Sequence, residues 1–168
     1  MTFNLLDHIT VMCPDFQAGD KWSACRKMAC MMAESKELSE EATEAITTAL
    51  IARETHGSTA FGKGLAVPEA RELPVPGVLV GLFLCKEGLA FEALDKAPVY
   101  ILAPVVGNDD WEVRFECVIA IFQMLQNVGC RDQLLACKTA NEMRSVLVSF
   151  YDPQVRETEP FPMPGGRE

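Results

Sequence analysis

The segment RETHGSTAFGKG, residues 53–64, contains groups that could hold an anion. Arg53 offers a forked guanidinium that pairs with phosphate or carboxylate oxygens, and Ser58 and Thr59 offer hydroxyl groups. The glycines of the segment allow positive φ angles and a close approach between the backbone and a ligand. These glycines are Gly57, Gly62 and Gly64. Together these residues are suited to cradling a phosphate or a carboxylate group.

The same segment also has a purely structural interpretation. It lacks the Gly-Lys-Ser/Thr ending of a nucleotide-binding loop, and glycine-rich connections between a helix and a strand are common. The residue types alone therefore leave both an anion site and an ordinary connection open.

The charge of the whole chain narrows the class of partners. The 168 residues carry a formal net charge of −9. Nonspecific binding to nucleic acid or to anionic lipid depends on clustered Lys and Arg side chains. We therefore expect neither nucleic acid nor a membrane surface to be a partner.

Apolar runs and cysteines predict the compartment. The longest apolar run, VPGVLVGLFLC, is far shorter than the roughly 20 residues that span a bilayer, and the chain does not start with a secretory pattern. The seven cysteines include no C-x-x-C pair and are typical of reduced thiols. No histidine lies near enough in sequence to complete a zinc site with them. We expect a cytoplasmic protein without membrane insertion, metal or cofactor.

Helical periodicity and capping residues predict four helices. The second helix begins after Ser39 and delivers Arg53 to the glycine-rich segment, and the third begins after Asp109 or Asp110 and ends at Gly129. The fourth begins after Thr139, in the sequence TANE. The first has a predicted buried stripe at three- and four-residue spacing, formed by Trp22, Cys25, Met28, Ala29 and Met32.

Three short apolar runs bounded by Gly or Pro predict buried strands near residues 65–68, 78–84 and 99–105. Helices, then strands, then helices again predict one α/β domain over residues 1–151, with a mixed central sheet flanked by helices on both faces. Residues 152–168 contain four prolines and a glycine pair, so we expect a Pro-rich flexible tail.

The RE pair followed by GSTAFGKGLAVPEAR resembles the active-site stretch of the mannitol/fructose-type IIA domains of the bacterial phosphotransferase system. That family includes the nitrogen-related regulatory IIA proteins. The likeness begins at Asp20-Lys21, includes FEALDKAPVYILAPV and extends into the helix near Trp111. It implies that Arg53, Ser58 and Thr59 line a pocket.

The resemblance also implies a loss at the centre of that pocket. In the family, a histidine at the end of the A-apolar-P strand accepts phosphate from a phosphohistidine carrier protein, and a second histidine lies beside it. Glu69 occupies the first position here, and Arg114 is the best match for the second. A carboxylate repels an incoming phosphoryl group and lacks the neutral imidazole nucleophile, so we expect a degenerate active site.

The resulting expectation is a non-phosphorylatable IIA-like regulatory or interaction domain that is not an enzyme. Its partner would be a regulatory protein, such as a phosphohistidine carrier-type protein, a kinase or a permease. Two alternatives remain open. One is an active phosphotransfer component that uses His56 or Glu69 as an unconventional acceptor, and the other is a small-anion sensor.

Charge complementarity predicts one further contact. If Glu69 and Arg114 replace two neighbouring histidines, a carboxylate beside a guanidinium removes the penalty that each charge bears alone. We expect the two side chains to pair, with Arg53 nearby. The competing interpretation is two unrelated surface charges.

Overall fold

The computed structural model describes residues 2–152, so residues 153–168 of the predicted Pro-rich tail lie outside the described part. Two helices precede most of the strands and three helices follow them. In chain order, the elements are a 3-10 helix Leu5–Asp7, β1 Ile9–Cys13, α1 Lys21–Ser35, α2 Glu40–Thr55, β2 Ala60–Gly62, β3 Leu65–Ala66, β4 Glu69–Ala70, β5 Val78–Leu89, β6 Val99–Leu102, β7 Val105–Gly107, α3 Trp111–Gln126, α4 Val128–Leu135 and α5 Ala140–Phe150.

Side-chain caps fix where the predicted helices begin. The side chains of Ser39, Asp110 and Thr139 each accept a hydrogen bond from the backbone N–H three residues later, at 3.1, 3.2 and 3.1 Å. These bonds satisfy N–H groups that have no partner inside the helix. The predicted starts of α2, α3 and α5 are confirmed.

The long strand β5 organises the sheet. Val80 has Ile9 of the parallel strand β1 on one side and Val105 of the antiparallel strand β7 on the other. Strand β6 follows along the same side of β5 as β7, with Ile101 opposite Leu84. Farther out, β3 and β4 run parallel to β6 and β7, and β2 pairs antiparallel with β3. The predicted mixed sheet is confirmed.

Two prolines interrupt neighbouring strands at the same level. Pro68 separates β3 from β4 and Pro104 separates β6 from β7, because a proline has no N–H to donate to a ladder. Hydrogen bonds still cross this region, from the Val105 N–H to the Pro68 carbonyl at 2.8 Å and from the Gly81 N–H to the Pro104 carbonyl at 3.0 Å. Glu69 is the first residue of β4 beyond the interruption.

Helices cover both faces of the sheet, as predicted. One face packs its buried side chains, including Phe83, against α1 and α2, where Met28 and Ile46 are fully buried. The other face packs against α3, α4 and α5 through residues such as Ile121 and Leu147. The sheet is thus the middle of three layers in one α/β domain.

Several predicted boundaries need correction. The strand predicted at 65–68 ends at Ala66, the run at 99–105 is divided at Pro104 into β6 and β7, and the run at 78–84 continues to Leu89. Gly129 does not end the third helix, which stops at Gln126. Asn127 accepts a hydrogen bond from the Cys130 N–H and caps α4, an element that was not predicted, with Gly129 inside it.

Two further differences concern burial and pairing. Trp22 belongs to the predicted buried stripe of α1 but is 37% exposed, whereas the other members of that stripe are buried. Strand β1 was not predicted, because its five residues are all half-buried and show no alternation. Its pairing with β5 is a long-range contact that local sequence does not encode.

Candidate functional site

The glycine-rich segment is a helix end followed by a β-hairpin. Helix α2 ends at Thr55, and the Arg53 guanidinium donates a hydrogen bond to the Gly57 carbonyl at 2.9 Å across that end. Gly57 has a φ of 145° and Gly64 a φ of 72°, values that favour glycine. Strand β2, which was not predicted, lies inside this segment. The segment is therefore held by regular pairing.

Thr59 and Glu54 form a buried contact beneath the hairpin. Their exposed fractions are 1% and 2%. The Thr59 backbone N–H donates to the two Glu54 carboxylate oxygens at 3.3 and 3.2 Å, and the Thr59 hydroxyl donates to the same carboxylate. The resemblance implies that the Thr59 hydroxyl lines a pocket, but this hydroxyl donates its hydrogen bond to a buried carboxylate of the same chain.

Ser58 also makes internal hydrogen bonds. Its hydroxyl donates to the Phe91 carbonyl at 2.9 Å and accepts from the Ala60 N–H at 3.1 Å. These bonds tie the hairpin to the segment that follows β5. Ser58 therefore stabilises the conformation of the hairpin.

A buried lysine compensates the charge of Glu54. The Lys21 ammonium lies 3.1 Å from Glu54 and 3.2 Å from the exposed Glu92, although Lys21 itself is only 4% exposed. It also lies 5.3 Å from the centroid of the Phe91 ring, within the range of a cation–π interaction. This cluster joins the start of α1 to the end of α2. The sequence showed Lys21 and Glu54 only as parts of a resembling stretch, and it gave no signal that they are buried.

Glu69 lies half-buried at the proline interruption of the sheet. Burial, the largest influence, raises the pKa of its carboxyl group, while the guanidinium charges of Arg114, Arg53 and Arg71 act in the opposite direction. Arg114 has the strongest of these lowering effects. Desolvation prevails because Arg53 and Arg71 are exposed and solvent screens their charges.

Glu69 and Arg114, which were predicted to pair, do not form a contact ion pair. Where both members lie within residues 2–152, the ion pairs closer than 4.0 Å are Lys21–Glu54 and Lys21–Glu92. Arg114 nevertheless acts on Glu69 electrostatically, and so does Arg53. The two positions are therefore electrostatically coupled through space.

Arg71 is a third cation of the site that sequence reasoning missed. A signal was present, because residues i and i+2 of a strand point to the same side, and Arg71 follows Glu69 by two positions. The strand ends at Ala70, so this periodicity was short and easy to overlook.

His8 and His56 each have Nδ1 beside a backbone carbonyl rather than beside Glu69. His56 is exposed at the end of α2, with Nδ1 2.7 Å from the Ala52 carbonyl. His8 has Nδ1 3.1 Å from the Val78 carbonyl and stacks on Phe3 with ring centroids 5.5 Å apart. Nδ1 of each histidine is therefore engaged with a backbone carbonyl oxygen.

Three guanidinium groups around one half-buried carboxylate give this site a cationic surplus within a chain of net charge −9. Such a surplus suits a partner with acidic or phosphorylated groups. Within residues 2–152, no three His, Cys, Asp or Glu side chains are grouped so that they could hold a metal ion. In the same part of the chain, no helix has the length and apolarity needed to cross a membrane.

Comparison with known proteins gives consistent matches. The family model described as "Phosphoenolpyruvate-dependent sugar phosphotransferase system, EIIA 2" matches residues 4–149. The nitrogen regulatory protein of Pseudomonas aeruginosa is 31% identical over 137 residues, which cover 81% of this chain and 88% of that protein.

Solved structures share the fold. The crystal structure of nitrogen regulatory protein IIA-Ntr from Neisseria meningitidis superposes with a TM-score of 0.70 at 24% identity, covering 84% of this chain and 94% of that one. Enzyme IIAMTL from Escherichia coli, in its complex with phosphorylated enzyme IIBMTL, gives a TM-score of 0.70 at 16% identity, with coverages of 82% and 94%.

Proposed function

This chain belongs to the EIIA 2 family of the phosphoenolpyruvate-dependent sugar phosphotransferase system, and we propose that it is a regulatory interaction domain that carries no phosphoryl group itself. The similarity to a nitrogen regulatory protein supports a regulatory role. The proposal rests on Glu69, which we take to stand at the family's acceptor position because it follows the A-apolar-P pattern of the active-site stretch.

The chemistry of Glu69 argues against transfer. A phosphoryl group moves readily to a neutral imidazole nitrogen, whereas a carboxylate is an anion that repels it. The arginines around Glu69 can orient an anion, but orientation without a suitable acceptor gives reversible binding only. In this proposal Glu69 supplies a negative charge at the position where the family carries its phosphorylated histidine. This charge is present without any phosphoryl donor.

The proposed partner is another protein of the phosphotransferase type. A related fold, enzyme IIAMTL, binds a phosphorylated protein, and the cationic surplus around Glu69 suits an acidic or phosphorylated surface. A carrier-type protein, a kinase and a permease are the candidate classes. We place the protein in the cytoplasm, because all seven cysteines are free thiols, which are typical of a reducing compartment.

A phosphotransfer assay tests the proposal. The wild-type protein, Glu69→His and Glu69→His/Arg114→His are incubated with a radiolabelled phosphohistidine carrier protein and separated on an alkaline gel, which preserves phosphohistidine. We expect no label on the wild type and alkali-stable label on the variants, most on the double variant. Glu112→His, the same exchange at an exposed position of α3, is the matched control and should stay unlabelled.

The two alternative acceptors have distinct signatures in the same assay. Label on the wild type that survives a neutral gel, is lost at alkaline pH and is absent from Glu69→Gln would identify an acyl phosphate on Glu69. Label that is lost in His56→Gln would identify His56. Either result contradicts the proposal and supports an active phosphotransfer component.

A small-anion sensor is the second candidate function, and the arginines acting on Glu69 favour it. Thermal unfolding in phosphate or sulfate at constant ionic strength tests this candidate. A sensor shows a rise in Tm that saturates with the anion and is reduced in Arg114→Gln. A rise that is the same in both proteins is a general salt effect.

A further inference from the structure

A cavity of about 540 Å³ lies between α1 and the loop that connects β1 to it. Two cysteines line this cavity: Cys13, which is half-buried at the end of β1, and Cys30, which is exposed on α1. Arg26 and Lys27 line it as well, one helical turn before Cys30. Two thiols and two cations thus share one space, and its lining includes none of the residues that act on Glu69.

The charges of the cavity favour an anionic ligand. Arg26 and Lys27 are exposed, and within residues 2–152 neither of them forms an ion pair closer than 4.0 Å. The Lys27 ammonium donates a hydrogen bond to the Gln17 carbonyl at 2.8 Å, which leaves further N–H groups for a ligand. Among the described residues that line the cavity, Asp15 is the one carboxylate. The lining therefore has an excess of positive charge in a chain of net charge −9.

The size of the cavity indicates a small molecule. Ligand cavities in proteins typically have volumes of about 300–1,000 Å³. An adjacent cavity of about 520 Å³ shares Asp15, Gln17 and Lys27 with this one, so an extended molecule also has room. A metal ion is not indicated, because no three His, Cys, Asp or Glu side chains within residues 2–152 are grouped to hold one.

A thiol beside cations suits a ligand that carries both sulfur and carboxylates. We propose that the cavity is a modification site in which Cys30 takes up a carboxylate-bearing low-molecular-weight thiol as a mixed disulfide. The co-reactant is the disulfide form of that thiol.

The Cys30 thiolate attacks one sulfur of the small disulfide, whose S–S bond breaks as the new S–S bond forms. The other half leaves as a thiol with the proton that Cys30 released. Arg26 and Lys27 hold the carboxylates of the bound half. This inference does not depend on whether the domain carries a phosphoryl group.

Thiol–disulfide exchange in the full-length reduced protein tests the inference. The protein is incubated with glutathione disulfide, which has a net negative charge, or with the neutral 2-hydroxyethyl disulfide. Intact-mass spectrometry gives each rate, and peptide mapping locates the adduct. We expect the adduct on Cys30, and the ratio of the first rate to the second should fall as salt screens the cations.

A cysteine in a different charge environment is the control for this ratio. Cys30→Ser/Ser145→Cys carries its exposed thiol on α5, with Asn141 and Glu142 four and three residues before it. These neighbours supply no cation at the spacing that Arg26 and Lys27 have from Cys30. The rate ratio of this variant should not fall with salt.

Substitution of one cation tests the recognition of the carboxylates. Arg26→Gln should lower the rate ratio about threefold at low ionic strength, and Arg26→Lys should preserve it. Lys36→Gln removes the same charge at the exposed end of α1, outside the lining, and should leave the ratio unchanged. No adduct, an adduct on Cys13, a Cys13–Cys30 disulfide without the bound thiol, or equal effects of Arg26→Gln and Lys36→Gln would each overturn the proposal.

Discussion

The ammonium of Lys21 lies 3.1 Å from the carboxylate of Glu54, and both side chains are almost fully removed from solvent. Glu54 in turn accepts hydrogen bonds from the backbone and the hydroxyl of Thr59. The start of α1, the end of α2 and the β2–β3 hairpin thus meet at one buried carboxylate. Because this hairpin leads to Glu69, the cluster determines where the candidate site lies.

Removing one member of this ion pair should be strongly destabilising. Lys21→Met leaves Glu54 as an uncompensated buried charge, and we expect the free energy of unfolding to fall by about 3–5 kcal/mol. Lys21→Met/Glu54→Gln should recover part of that loss, because no unpaired charge remains. Urea unfolding followed by circular dichroism measures both. Lys36→Met, at the exposed end of α1, is the control and should change stability by about 0.5 kcal/mol or less. An equal effect of Lys21→Met and Lys36→Met would contradict the role of the pair.

Replacing Glu69 should stabilise the protein in a pH-dependent way. Burial raises the pKa of this carboxyl in the folded state, so its ionisation opposes folding once the pH rises above the unfolded pKa of about 4.3. Glu69→Gln removes that penalty, so the variant should exceed the wild type in stability at neutral pH. The gain should shrink as the pH falls from neutral toward the unfolded pKa of about 4.3. It should vanish at lower pH, where Glu69 is protonated in both the folded and the unfolded state. Unfolding free energies measured across pH 3–8 test the sign, with the exposed Glu44→Gln as a control for net charge. A gain that grows toward low pH would reverse the assignment.

The turn of the β2–β3 hairpin should not tolerate a side chain at Gly64. A Cβ there would lie 3.0 Å from Cδ2 of Tyr100, on a backbone with φ of +72°. Gly77 has φ of +70° but no atom within 4 Å of its Cβ position. Gly77→Ala should therefore cost about 1–2 kcal/mol from backbone strain alone, and Gly64→Ala should cost more. Thermal or urea unfolding of the two variants gives the comparison, and equal costs would show that Tyr100 moves aside freely.

Thiol reactivity should separate the cysteines by burial. Cys30 is exposed, whereas burial raises the pKa of the Cys25 and Cys117 thiols to about 12. Because the thiolate is the reactive form, Cys30 should react first with Ellman's reagent, while Cys25 and Cys117 should react only after unfolding. The rate is followed by absorbance with and without guanidinium. Cys30→Ser should remove the fastest phase, and persistence of that phase would contradict the exposure seen here.

Local sequence was sufficient for most regular elements. Apolar runs bounded by Gly or Pro predicted the core strands, because buried strands of a covered sheet need apolar side chains on both faces. Ser39, Asp110 and Thr139 predicted helix starts, because their side chains satisfy N–H groups only three residues away. Local sequence did not predict β1, β2 or α4, since β1 and β2 are defined by their pairing with β5 and β3, and α4 is short.

The sequence by itself determined the α/β class with helices on both faces of the sheet and the helix starts, and through family resemblance it led to the expectation that Glu69 stands where the family has its acceptor histidine. Only the tertiary structure decided which charged side chains are buried and how they interact. Lys21 and Glu54 are 33 positions apart in sequence and look like solvated helix residues, yet packing encloses both. Glu69 and Arg114 are coupled without a contact ion pair, and Arg71 joins them. The physical reason is that burial and charge coupling depend on distances between segments remote in the chain, which residue types and local periodicity do not specify.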